Sequence, residues 1–198
     1  MFIYIIMNLL DYTFIKNNLP NDNYYLLQFD GFSSNGESGI GALLYGTTSF
    51  GSSKTNNLSK IEFNNIVINK NKFIKLIFKY GEYIGKYRTF EENSIIHFTS
   101  CTNNQIEYIS LINSLVKLKS FEIKNILIES SSNLLINQLL GITRVKDYKL
   151  KQLFNEIIES FNDFDSIGIR FINKELNKDA IGLAIEVIYT KDIIFDFF

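Results

Sequence analysis

The side chains that could carry chemistry in this chain are few, and most of them offer oxygen. A single histidine, His97, and a single cysteine, Cys101, exclude a Cys/His zinc cluster and a disulfide scaffold. Any histidine-based triad would have to be built around His97, which sits inside an apolar run and reads as a packed residue. Cys101 reads as a small buried side chain. The other candidates stand where predicted strands close and predicted helices open, the places where α/β sheets gather functional groups. Asp30 closes an apolar run just before Gly31, and Glu107 lies in the first turns of a long amphipathic segment. Ser131 follows the run from Ile128 to Ser130, and Lys178, Asp179, Ala180 and Ile181 open the last helical segment. Each acid also has an ordinary reading, Asp30 as a turn cap and Glu107 as a solvated helix-face residue. A cationic run after Gly141 (Arg144, Lys146, Lys149 and Lys151) is a place for phosphates to dock, or a solvated helix start.

The elements that must position these residues can be read from periodicity. The chain has 198 residues, 46% apolar and 15% aromatic, enough for one domain with a substantial core. A net charge of −1 announces no polycationic nucleic-acid binder, so any such surface must come from local clustering. The Ile, Asn and Lys runs, with one Pro and no Trp, are what an AT-rich genome writes, pointing to a large-virus or protist source. Apolar Met1–Leu10 is shorter than the roughly 20 residues a bilayer span needs. It also lacks a basic n-region and a small-residue cleavage site, and it reads as a strand or short helix. No membrane partner and an intracellular, cytoplasmic or nuclear setting are expected. Strands are predicted over Tyr24–Asp30, Ile40–Tyr45, Ser94–Ser100, Lys124–Glu129 and Ser166–Ile172, with a glycine-rich turn from Gly31 to Gly41. Helices are predicted over Asn104–Lys119, capped by Thr102 or Asn103, and over Asn133–Leu140, Tyr148–Phe161 and Lys178–Tyr189. Residues 46–93 are expected to form an insertion carrying a hairpin of Ile61–Ile68 and Phe73–Tyr80. The order predicts a mixed five-stranded sheet, first three strands antiparallel and last two parallel, with helices on both faces. Residues 1–23 become an N-terminal extension, 24–190 the domain and 191–198 a C-terminal tail.

Four motifs in this order resemble the ribonuclease H family, especially its reverse-transcriptase-like branch. TNNQIEYISLI at Thr102–Ile112 is similar to the family's T-N-N-x-x-E-Y-x-x-L-I segment. FDG at Phe29–Gly31 with GIG at Gly39–Gly41 resembles its opening hairpin, with a loop about two residues short. IESSSNLLINQLLG at Ile128–Gly141 resembles its strand-then-helix passage, and RFINKELNKDAIGLA at Arg170–Ala184 its closing R-x-x-N-x-x-A-D-x-L-A block. The resemblance covers about Tyr24 to Tyr189, apart from the insertion. It implies a ribonuclease H fold and cleavage of the RNA strand of an RNA–DNA hybrid by two Mg²⁺ or Mn²⁺ ions held by four carboxylates.

Asp30 and Glu107 match the first and second carboxylates, while the third position holds Ser131 and the fourth Ile181. Asp179 lies about 200° around the helix from Ile181 and points away. Glu129 shares the strand face of Ser131 but is set back about 6.6 Å; it is the one candidate for a substitute ligand. The expectation is therefore a degenerate relative, weakly active or inactive, that still binds RNA–DNA hybrid or double-stranded RNA. The alternatives are an active Mg²⁺-dependent enzyme using Glu129, and a protein-interaction scaffold or homodimer built through the insertion and the apolar termini. The resemblance assigns substrate contacts to Thr102, Asn103, Asn104 and Asn133. Ser33 in the glycine-rich loop could face the RNA strand, and Arg144, Lys146 and Lys174 the phosphates. Lys174 replaces the family's usual arginine and keeps its charge but loses bidentate geometry.

Overall fold

The computed structural model of the chain describes residues 12–16, 25–48, 60–63, 66–69, 73–84 and 101–197. Its strands are β1 (Thr13–Lys16), β2 (Tyr25–Ser34), β3 (Glu37–Thr48), β4 (Lys60–Phe63), β5 (Ile66–Asn69), β6 (Phe73–Tyr83), β7 (Asn125–Ser130), β8 (Ser166–Phe171) and β9 (Ile193–Phe197). Its helices are α1 (Asn103–Ser120), α2 (Asn133–Leu139), α3 (Tyr148–Ser160) and α4 (Lys178–Thr190). Short 3₁₀ turns occupy Phe161–Asp163 and Lys174–Asn177. A seven-stranded sheet runs β1-β8-β7-β2-β3-β6-β9, with β4 and β5 forming a separate two-stranded ladder. β2, β3 and β6 are antiparallel, and β7 and β8 are parallel to β2. This is the expected mixed sheet extended at both edges, by β1 on β8 and by β9 on β6.

Residues Asn35 and Gly36, at φ +53° and +76°, turn β2 directly into β3. Positive φ at both central positions matches the strand twist, which is why Asn-Gly closes two-residue hairpins. The expected break at Gly31 does not occur: the chain stays extended to Ser34 and resumes at Glu37. The glycines serve helix contact instead. A Cβ on Gly31 would lie within 3.0 Å of the Ile106 backbone in α1, and one on Gly41 within 3.0 Å of the Ala180 carbonyl in α4. Both helices therefore cross the sheet backbone to backbone, next to Asp30. Gly41→Ala is expected to destabilise the fold by about 1–3 kcal/mol, because the strand or α4 must move. Exposed Gly182 meets nothing within 4 Å. Gly182→Ala is expected to stabilise by about 0.5–1 kcal/mol through helix propensity. Urea unfolding of the two variants checks both signs.

Three further expectations need correction. The third antiparallel strand is β6, from within the segment expected to be inserted, while Ser94–Ser100 lies outside the described residues. His97 and Met1–Leu10 also lie outside them. The expected tail at 191–198 instead supplies β9, and the expected extension at 1–23 supplies β1. One face of the sheet packs Leu27, Phe29, Ile40, Ile128 and Ile169 against buried Ile106, Ile109 and Leu153 of α1 and α3. On the other face α4 lies over β3, β2 and β6, where Leu26, Leu43, Tyr45, Leu127 and Ala180 are buried. Among the described residues no helix is long and apolar enough to cross a membrane.

Candidate functional site

The site begins where β7 leaves β2. The last pair of that parallel ladder is Gln28 with Glu129, so Asp30 and Ser131 lie just beyond it, at the carboxyl ends where such sheets open a crevice. Asp30 is 7% exposed. Its Oδ1 accepts the Gly31 amide at 2.8 Å. Its Oδ2 accepts the Ser131 hydroxyl and the Asn177 amide, each at 2.8 Å. Asn177 Nδ2 also donates to the Phe29 carbonyl at 3.0 Å, which orients the amide, while its buried Oδ1 has no partner. Ser110 on α1 donates to the Asp30 carbonyl at 2.7 Å and ties the strand to the helix. Burial raises the pKa of Asp30; the three donors and the charge of Lys174 oppose that rise.

Glu107 projects from α1, whose start is set by a capping box. Thr102 Oγ1 accepts the Gln105 amide at 3.3 Å, and Gln105 Oε1 accepts the Thr102 amide at 2.9 Å. The Glu107 carboxylate accepts the hydroxyl of Ser132, the N-cap of α2. Burial lifts its pKa from 4.5 to about 7; the charge of Asp30 adds to the rise, and Ser132 and Lys174 oppose it. The folded state thus keeps a proton that the unfolded chain releases between pH 4.5 and about 7. Stability from this group is greatest below that window, falls as pH rises through it, and stays low above it. Glu107→Gln is expected to remove this decline, read as unfolding free energy at about pH 5 and about pH 8.

The structure joins Asp30 to Ser131 by a hydrogen bond and places Glu107 and Lys174 near enough for charge to act between the two acids and the lysine. It leaves Ile181 half-buried in the first turn of α4, with no atom to offer a cation. Glu129 requires a correction. It is 1% exposed, and both of its oxygens are engaged. Oε2 accepts Gln28 Nε2 at 2.8 Å, and Oε1 accepts the Tyr12 hydroxyl and the Arg170 guanidinium. It serves as the buried partner of Arg170 and does not reach toward Asp30. Among the described residues no group of three or more His, Cys, Asp or Glu is placed to hold a metal ion.

The expected substrate contacts divide. Thr102, Asn103 and Asn104 are exposed at the start of α1, close to the hairpin. The Ser33 amide donates to Asn103 Oδ1 at 2.9 Å, and the Ser33 hydroxyl to the Cys101 carbonyl at 2.6 Å. Asn133 is exposed in the first turn of α2, beside Ser132. Arg144 and Lys146 are exposed beyond the other end of α2, about 12 Å along its axis from Ser132. They do not join the acids. Sequence reasoning missed Ser132 and Asn177. The signal for Asn177 was present, since it is the asparagine three residues before Ala180 in the closing block.

Residues 92–187 match the family model described as reverse transcriptase-like. Among solved structures, ribonuclease H1 from the archaeon Halobacterium salinarum is 21% identical, covering 84% of this chain and 98% of that one with a TM-score of 0.59. LC11 ribonuclease H1, isolated from compost, is 22% identical over 84% of this chain and 98% of its own, with a TM-score of 0.60. The N-terminal ribonuclease H domain of a Mycobacterium tuberculosis protein is 18% identical over 85% and 96%, with a TM-score of 0.59. No curated protein matches the chain in sequence. The architecture shared with these structures gives the chain a ribonuclease H fold, and residues 92–187 are similar to the reverse transcriptase-like family.

Proposed function

We propose that this chain is a ribonuclease H-like domain that binds RNA–DNA hybrid and has lost efficient two-ion hydrolysis. The polarity of the site around Asp30 carries this reading. In a metal centre the groups facing the ion must all be acceptors. Here three donors, the Gly31 amide, the Ser131 hydroxyl and the Asn177 amide, are turned to the Asp30 carboxylate. Two divalent ions bring four positive charges, and these residues answer with two carboxylates, one of them raised to about 7, beside a lysine. The donor set does not fit a two-ion centre.

Binding does not depend on those ligands. The family likeness supports a hybrid as substrate, since LC11 ribonuclease H1 was solved in complex with an RNA/DNA hybrid. Exposed Thr102, Asn104 and Asn133 flank the two acids with groups that donate and accept, suited to sugar hydroxyls and base edges in a minor groove. With a net charge of −1, the affinity should be modest and fall with salt. The test combines saturable binding of a labelled hybrid with a cleavage assay in Mg²⁺ or Mn²⁺. Binding without cleavage is expected; robust cleavage that Asp30→Asn abolishes overturns the loss of hydrolysis.

A further inference from the structure

We infer that this site takes a backbone phosphate without any divalent ion, with Lys174 supplying the positive charge from within the chain. The inference rests on the hybrid-binding reading above and adds the determinant and the ionic requirement. Lys174 and Asn177 begin and end one 3₁₀ turn. At three residues per turn, positions i and i+3 eclipse, so the two side chains share one edge. Asn177 on that edge reaches Asp30, which places Lys174 over the same crevice. Its charge acts on both acids, lowering the pKa of Asp30 and of Glu107. The turn is pinned, since Asn173 Oδ1 accepts the Leu176 amide at 3.0 Å and Asn177 is fully buried. Lys174 itself is exposed, as a residue that meets a phosphate must be.

Asn177 strengthens the argument. It occupies the N-cap position of α4 yet makes no side-chain cap, because its amide is directed to Asp30 and the Phe29 carbonyl. Leaving Oδ1 without a partner is unfavourable, and the arrangement persists with the donor facing the carboxylate. Ser131 and Asn177 engage the buried Asp30 carboxylate with hydrogen bonds, and the exposed Lys174 is the charge on this edge that an anionic phosphate can meet from solvent.

The experiment measures fluorescence anisotropy of a labelled RNA–DNA hybrid with the full chain, in EDTA and in Mg²⁺, across a salt series. Wild type should bind equally, within about twofold, in both buffers. Lys174→Ala should weaken binding about tenfold and reduce the salt slope by about one, while Lys174→Arg binds like wild type. Lys124→Ala, at the opposite end of β7, should change nothing. Binding that appears only with Mg²⁺, or that survives Lys174→Ala unchanged, overturns the inference and leaves hybrid recognition standing. No binding in either buffer overturns hybrid recognition itself, and the inference with it.

Discussion

The double variant Ser131→Asp, Ile181→Asp is expected to unfold earlier than wild type in EDTA and to recover with Mg²⁺. Ser131 now donates to Asp30, so replacing it with a carboxylate exchanges a hydrogen bond for a like-charge contact. Like charges about 4 Å apart repel by roughly 4 kcal/mol at the effective dielectric of a protein surface. Partial protonation relieves some of this, leaving a loss of about 3 kcal/mol, or roughly 6–12 °C in melting temperature for a chain of this size. With four carboxylates restored, divalent ions bind the folded state alone, and at a hundredfold excess over Kd they return about 2.7 kcal/mol. Differential scanning fluorimetry with and without Mg²⁺ reads the effect. A melting temperature indifferent to Mg²⁺ would mean that positions 30, 107, 131 and 181 do not share one pocket.

The second large effect concerns Glu129. Glu129→Ala removes the shared acceptor of Gln28, Tyr12 and Arg170, leaving a largely buried guanidinium without its ion-pair partner. Breaking a buried pair from one side is expected to be destabilising by about 3–5 kcal/mol. The Arg170 guanidinium also lies over the Tyr12 ring, 4.6 Å from its centroid, so the loss should reach the strand that follows Tyr12. Hydrogen exchange should therefore show β1 opening before β7 or β2. If Glu129 instead served the acids of the site, Glu129→Gln would leave stability unchanged and alter the divalent-ion response.

Local signals in the sequence were reliable because local chemistry produces them. The start of α1 follows from Thr102 and Gln105, three residues apart, bonding each other's amides. The α4 start at Lys178 and the β7 end at Ser130 fall within a residue of the expected positions. Pairing across the sheet was less visible. Phe73–Tyr80 reads as a strand in the sequence, but only the fold shows that it lies beside β3 and not in an outlying hairpin. Gly31 and Gly41 look like turn residues because a missing side chain serves tight turns and close helix contacts alike, and the sequence does not distinguish the two.

The sequence by itself determined which groups stand at the four positions matched to the family's carboxylates: acid, acid, hydroxyl and hydrocarbon at Asp30, Glu107, Ser131 and Ile181. Residue type at a strand end or helix start is a one-dimensional property, and the motifs carry it. Only the tertiary structure decided what those groups do to one another. The amide that holds Asp30 comes from Asn177, 147 residues away. The guanidinium that claims Glu129 comes from Arg170 on the adjacent strand. Hydrogen-bond partners and charge are set by distances in space, which strand order and helix crossing fix and residue spacing along the chain does not.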